Sequence, residues 1–256
     1  MSSSPIINSG GGVNPANLAI PGRADGFVVK NSSNSAVAIT AGKVEANAKL
    51  YALAADTTHA MTSLAAGFGR HYIYIDDSES SAPVAAIIDS TTAPTKSVPK
   101  NGWYNGDDRC IGFCYSPAGG ATIIQFGIVA QSGQKIRMFF SVVSSVEFNL
   151  ATNMSPNGAW QTPNVRESSA ILPPMAEELF VWMQNSDVGG QVTIAAVQSE
   201  LAAGTFTNGH FYVAINVQGA DQGWIPLGAS KNIKISGEAD DDNALFAYIN
   251  GVGYSR

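Results

Sequence analysis

Apolar residues in this chain come in short bursts, and most bursts alternate with polar positions. In "YIYID" Tyr72 and Tyr74 fall on one side and Ile73 and Ile75 on the other, the period of two that a strand imposes. Such runs predict strands at Gly26–Lys30, Ser35–Ala41, Lys49–Ala54, His71–Asp76, Val84–Asp89, Arg109–Ser116 and Ala121–Val129. The series continues at Lys135–Asn149, Leu179–Gln184, Gln191–Val197, His210–Val217, Trp224–Leu227, Asn232–Ser236 and Ala244–Asn250. The dipeptides Asn101-Gly102, Asn105-Gly106, Asn157-Gly158 and Asn208-Gly209 are hairpin turn signals.

Helical signal is thin. "PPMAEELFVWM" (173–183) opens as a helix would, with prolines and then acids. Leu179, Val181 and Met183 then alternate with Phe180 and Trp182, which makes it a strand. "VQSELAAG" (197–204) reads as a short helix ending at a glycine cap. Many short strands at this spacing predict an all-β chain of two β-sandwich, jelly-roll-like domains. The expected division is an extended N-terminal arm at 1–22, an N-terminal β-domain at 23–131 and a C-terminal β-sandwich domain at 132–256. The arm, rich in Ser, Gly, Asn and Pro, has nothing to pack by itself and no apolar core of a secretory leader.

Composition narrows the function classes. Hydrophobic residues make up 45% and charged residues 13%, so the surface is polar but nearly neutral, as suits a protein that lives in an assembly. Net charge is −6 with no cluster of Lys or Arg, which leaves a phosphate backbone nothing to bind, so no nucleic-acid partner is expected. No segment reaches the ~20 apolar residues of a spanning helix, and no membrane insertion is expected.

Cys110 and Cys114 are the only cysteines. On a regular strand they face the same side about 13 Å apart at ~3.3 Å per residue, too far for a disulfide. A zinc site needs further ligands at knuckle spacing, whereas His59, His71 and His210 are scattered. Both thiols therefore read as small buried hydrophobes. No nucleophile elbow, zinc-protease helix, phosphate loop or dinucleotide fingerprint appears, so no catalytic, cofactor or metal residues are assigned. Asp76, Asp77 and Glu79 form one acidic cluster, and Glu238, Asp240, Asp241 and Asp242 another. The second lacks the spacing of a calcium loop, and whether it holds calcium stays open. Trp103 and Tyr104 in "NGWYNGDD" and Trp160 in "NGAWQTP" are candidates for stacking on a sugar ring; a Trp in such a loop can equally plug the end of a sandwich. Trp224, leading a strand, reads as packing.

Longer stretches carry a resemblance. "GRHYIYIDDSESSAPVAAIIDSTTAPT" followed by "GWYNGDDRCIGFCYSPAGGATIIQF" resembles a module of tailed-bacteriophage virion proteins: a tyrosine-rich strand, an S-T-x-x-P turn, an R-x-I-G strand, and a Gly-rich turn into a strand ending in Phe. "SSAILPPMAEELFVWMQ", "GWIPLGASKNIKIS" and "FAYINGVGYSR" are similar to the closing β-sandwich of phage fibre and spike proteins, with its final x-G-Y strand. The likeness covers about 67–126 and 168–256 and lies in the order of strands and turns.

The resemblance implies a non-enzymatic virion component, of tail-fibre, tail-tip or head-fibre (decoration) type, attached by its N-terminal part. It implies a homo-oligomer, often a trimer, with capsid, portal or tail proteins as partners, assembled in the bacterial host cytoplasm, where thiols stay reduced. It supplies no residue-level site. The alternative is a carbohydrate-binding, lectin-like receptor-binding module facing host-surface glycan.

Overall fold

The structure, a computed structural model, describes residues 21–65, 67–78, 85–141, 149–154, 164–166, 172–185, 192–198, 213–215, 219–229, 231, 233–238 and 245–256. Among them every regular element is a β-strand. The first six are β1 (Ala24–Asp25), β2 (Val29–Asn31), β3 (Ala36–Ile39), β4 (Gly42–Ala46), β5 (Lys49–Leu53) and β6 (Thr57–Ala60). Next come β7 (Gly69–Ile75), β8 (Ile87–Ser90), β9 (Thr95–Ser97), β10 (Gly102–Asn105) and β11 (Asp108–Ser116). A hairpin of β12 (Phe126–Ser132) and β13 (Lys135–Phe140) follows, then β14 (Asn149–Met154), β15 (Asn164–Arg166) and β16 (Ala176–Asn185). The series closes with β17 (Val192–Gln198), β18 (Val213–Ile215), β19 (Gly219–Pro226), β20 (Ile233–Glu238) and β21 (Leu245–Ser255).

The described pairings are antiparallel. They form small sheets in the orders β1-β4-β5, β2-β3-β6, β8-β7-β11-β10-β9 and β15-β20-β17-β18. The largest sheet runs β12-β13-β21-β16-β19, and β14 also pairs with β21. β21 is its spine: β16 lies along one edge, while β13 and then β14 share the other.

Two departures from the strands expected in the sequence have local causes. Gly26–Lys30 is not one strand, because Gly26 and Phe27 take positive φ (84° and 53°) and turn the chain between β1 and β2. Residues 121–125 are not extended into β12, because Ile123 N–H bonds to Asn34 O and Ile124 N–H to Tyr115 O, both at 2.7 Å. The expected helix over 197–204 begins on Val197 and Gln198, which end β17; its remainder lies outside the described residues. The alternating stretch from Leu179 does form a strand, within β16.

One buried core draws on residues from both sides of the expected 131/132 boundary. Alternation in β13 and β16 sends Ile136, Met138, Phe140, Leu179, Val181 and Met183 inward. Side chains on this inner side touch side chains of β11. The Phe113 and Tyr254 rings lie 4.9 Å apart, Tyr115 and Phe140 5.3 Å apart, and Cys110 Sγ sits 3.9 Å from Met175 Sδ.

β11 is buried along nearly its whole length and occupies the centre of its sheet. Its register against β7 slips between Cys110 and Gly112: Cys110 pairs with Tyr74, Gly112 with Ile73 and Cys114 with His71. This bulge shifts the side-chain phase by one residue. Cys110 therefore shares the face of Tyr72 and Tyr74, while Cys114 shares the opposite face with His71. The same-side expectation fails because it assumed an unbroken strand. Both cysteines are free and buried, in a core strand.

Candidate functional site

Three constellations place charged or aromatic side chains where they can act: a clamp on the start of the described chain, a buried histidine network, and the outer face of the six-stranded sheet.

The clamp is built from two arginines at the ends of the central strands of the two largest sheets. Arg109, at the start of β11, is 0% exposed, and Arg256, just after β21, is 1% exposed. The Arg109 guanidinium donates to the carbonyls of Gly22 (3.1 Å), Arg23 (3.0 Å) and Glu45. The Arg256 guanidinium donates to Ala24 (3.3 Å), Gly26, Phe27 (2.9 Å) and Gly133 (3.3 Å). Gly22 O also accepts from Gln134 Nε2. Buried backbone carbonyls need donors, and β1 is too short to satisfy them by strand pairing alone; the arginines do so with charge-assisted bonds. Glu45, 2% exposed, sits 3.6 Å from Arg109 and accepts from Gly22 N–H (3.1 Å) and Ala48 N–H (2.7 Å). It thus closes the clamp and also holds the Asn47–Ala48 turn, where both residues have positive φ.

The second constellation gathers hydroxyls around His71, itself 1% exposed. His71 Nδ1 lies 2.9 Å from Ser63 Oγ and Nε2 lies 2.9 Å from Ser116 Oγ. Ser116 gives its single hydroxyl proton to Gly67 O at 2.9 Å, so Nε2–H must be the donor to Ser116 and Nδ1 accepts from Ser63. The imidazole is thereby fixed as the Nε2–H tautomer, and burial lowers its pKa, partly opposed by Asp89. Asp89, in β8, accepts from His59 Nε2 (2.7 Å), Thr62 N–H (3.0 Å), Thr62 Oγ1 (2.9 Å) and Ser63 N–H (2.6 Å). Burial pushes the Asp89 carboxyl up, but these bonds outweigh it and hold it well below the usual carboxylate range. A base activating a serine would need its free nitrogen toward that hydroxyl proton. His71 Nδ1 meets that condition toward Ser63 and not toward Ser116, whose proton points to a carbonyl; together these bonds tie the turn after β6 to β7, β8 and β11.

The third constellation follows from register. β21 places Gly253 beside Arg137 and Glu178, and Gly251 beside Phe139 and Phe180; β19 adds Trp224 beside Phe180. Farther along, Tyr248, Trp182 and Gln222 are neighbours. With no side chain on Gly251 or Gly253, residues from strands on either side meet above β21. Arg137 and Glu178 join in a two-pronged pair, both bonds 2.6 Å, and the Phe139 and Phe180 rings approach to 4.6 Å. Trp224 stacks on Phe139 at 5.6 Å and 17°, and the Arg137 guanidinium lies 4.6 Å from its ring centre. The Trp182 and Tyr248 rings are 5.6 Å apart. All five aromatics are half-buried and Gln222 is exposed, so this is the solvent-side face.

The residues proposed for sugar stacking are not gathered there. Trp103 and Tyr104 lie on β10 of the five-stranded sheet. Trp103 is half-buried and packs on the core. Tyr104 is 2% exposed, with Lys100 Nζ 4.7 Å above its ring. Trp160 lies outside the described residues, as do His210, Glu79 and Asp240–Asp242; Glu238 ends β20. Asp77 accepts from Lys49 Nζ (2.8 Å), Asn47 Nδ2 (3.1 Å) and the Tyr51 hydroxyl. Among the described residues no group of three metal-ligating side chains is suitably disposed.

The sequence reads Trp224 as packing and Phe180 and Trp182 as strand residues, and gives the outer-face set no shared role. The signals were present: "KIRMFF" alternates Arg137 and Phe139 with three apolar residues, and "NGVGYSR" spaces two glycines at strand period. Only register joins them into one patch. No protein-family model matches the chain, and a search of curated proteins finds no match.

Proposed function

We propose that this chain is a non-enzymatic structural component of a bacteriophage virion, of tail-fibre, tail-tip or head-fibre (decoration) type, anchored by its N-terminal part. The observation that carries this reading is the clamp: five carbonyls between Gly22 and Phe27 are held by Arg109 and Arg256. A tension applied through residues 1–20 passes into charge-assisted bonds, each contributing about 1.5–3 kcal/mol, and from them into the central strands of two sheets. An all-β body with its leading segment fastened this way suits a protein that must stay attached under load. The inner-face contacts between the five- and six-stranded sheets support a layered, jelly-roll-like packing within this reading. Its partners are capsid, portal or tail proteins and further copies of itself, in a particle assembled in the host cytoplasm.

The test is incorporation. The full chain and a variant lacking residues 1–20 are each supplied during phage assembly, and purified particles are analysed. The full chain is expected in the particles, and the shortened one, still folded, in the unbound fraction. Equal incorporation of both would overturn the anchoring role.

A second reading, the lectin-like module, is favoured by the half-buried aromatics on the outer face of the six-stranded sheet.

A further inference from the structure

We propose that the outer face of the six-stranded sheet binds a neutral oligosaccharide, laid over Trp224 and Trp182 with Arg137, Glu178 and Gln222 at its margins. The inference rests on the lectin-like reading for its ligand class and is independent of how the chain is anchored.

Three features select this ligand. The first is ring placement. Trp182 stands two residues beyond Phe180, the partner of Trp224, so the two indoles belong to neighbouring rows about 7 Å apart at ~3.3 Å per residue. Two indoles anchored in adjacent rows of one sheet face let a single sugar chain cross both, its C–H faces stacking on aromatic rings while hydroxyls reach the flanks. The second is charge. The two-pronged Arg137–Glu178 pair cancels its own charge while leaving 42% and 25% of those side chains exposed. A neutral polyol finds both donors and acceptors there, whereas an acidic sugar would compete with Glu178 for the guanidinium. The third is preorganisation. Gly251 and Gly253 let the flanking side chains settle against the sheet, and Trp224 is braced by Phe139, Phe180 and Arg137, so little side-chain freedom is lost on binding.

The experiment uses the full chain. It is screened on an array of neutral, uronate-bearing and sialylated oligosaccharides, and the best neutral glycan is titrated by calorimetry. The expected result is a neutral glycan whose affinity drops about tenfold or more in Trp182→Ala and in Trp224→Ala, and stays unchanged in Trp103→Ala. Circular dichroism checks each fold; should Trp224→Ala unfold, Gln222→Ala, at an exposed position, reads the same site and is expected to weaken binding several-fold. Binding that survives the outer-face variants but fails in Trp103→Ala would overturn this site and keep the lectin reading. An array with no neutral ligand, or with acidic ligands alone, would overturn the proposal. So would light scattering that shows a multimer dissociated by Trp182→Ala, which would make the face a contact between copies.

Discussion

Arg109 and Arg256 divide one short segment between them: Arg109 takes the carbonyls of Gly22 and Arg23, and Arg256 those of Ala24, Gly26 and Phe27. The two arginines are 147 positions apart in the sequence; Arg109 lies in β11, and Arg256 directly follows β21 of another sheet. Burial lowers the pKa of both guanidiniums, and for Arg256 the charge of Arg109 adds to that. Their cost is offset by the carbonyls they hold and, for Arg109, by Glu45. The segment at 22–27 is consequently part of the core structure.

Removing either arginine should loosen that segment. Arg109→Ala also strands the buried Glu45 carboxylate and is expected to cost about 3–5 kcal/mol. Arg256→Ala leaves several carbonyls without donors and is expected to cost about 3 kcal/mol or more. Urea titration measures both. Hydrogen exchange of the Phe27 amide, which bonds to Thr40 O, should accelerate in each variant.

Gly251 and Gly253 should tolerate alanine unequally. A methyl at Gly251 would lie 2.5 Å from Phe139 Cδ1 and 2.6 Å from the Met138 carbonyl, and backbone cannot step aside. At Gly253 the obstacle is the Glu178 side chain, which can swing away by giving up Arg137. Overpacking of this kind costs about 1–3 kcal/mol. Thermal melts should therefore place Gly251→Ala below Gly253→Ala, and both below the parent chain.

The two thiols should be silent in the folded protein. Burial pushes the Cys110 thiol up to about 12 and raises that of Cys114 further, so neither supplies thiolate at neutral pH. Iodoacetamide is expected to label neither until denaturant is added, and then both. Rapid labelling of the native chain would contradict the buried strand.

Acid should weaken the fold in two stages. The folded pKa of His71 is lowered, so below about pH 6.5 the unfolded chain takes up a proton that the folded one resists. Stability is lost from there downward, until the folded pKa is reached. The folded pKa of Asp89 is also lowered, so its contribution is present above about pH 3.9 and is lost as pH falls further. Urea midpoints between pH 7.5 and 5 should decline in the parent chain and decline less in His71→Asn. Equal slopes would remove His71 as the cause.

Much of this was legible in the chain, and what escaped did so for physical reasons. Alternation in "YIYID" and "LFVWM" announced β7 and β16, because each strand has one continuous pattern of facing residues. β4 was missed: its Glu45 is polar yet buried, satisfied by Arg109 from 64 residues away. The bulge at Cys110–Gly112 leaves no mark in composition, and it alone puts the cysteines on opposite faces. The loop setting of Trp103 and Trp160 drew attention, whereas Trp182 and Trp224 come together only once β16, β19 and β21 are in register.

The most direct test of the account is quantitative mass spectrometry of gradient-purified phage particles from cells that produce this chain. The chain is expected to co-purify with the particles at a fixed copy number and to resist high-salt washing. Its absence from particles, with the protein remaining in the soluble lysate, would contradict the virion role.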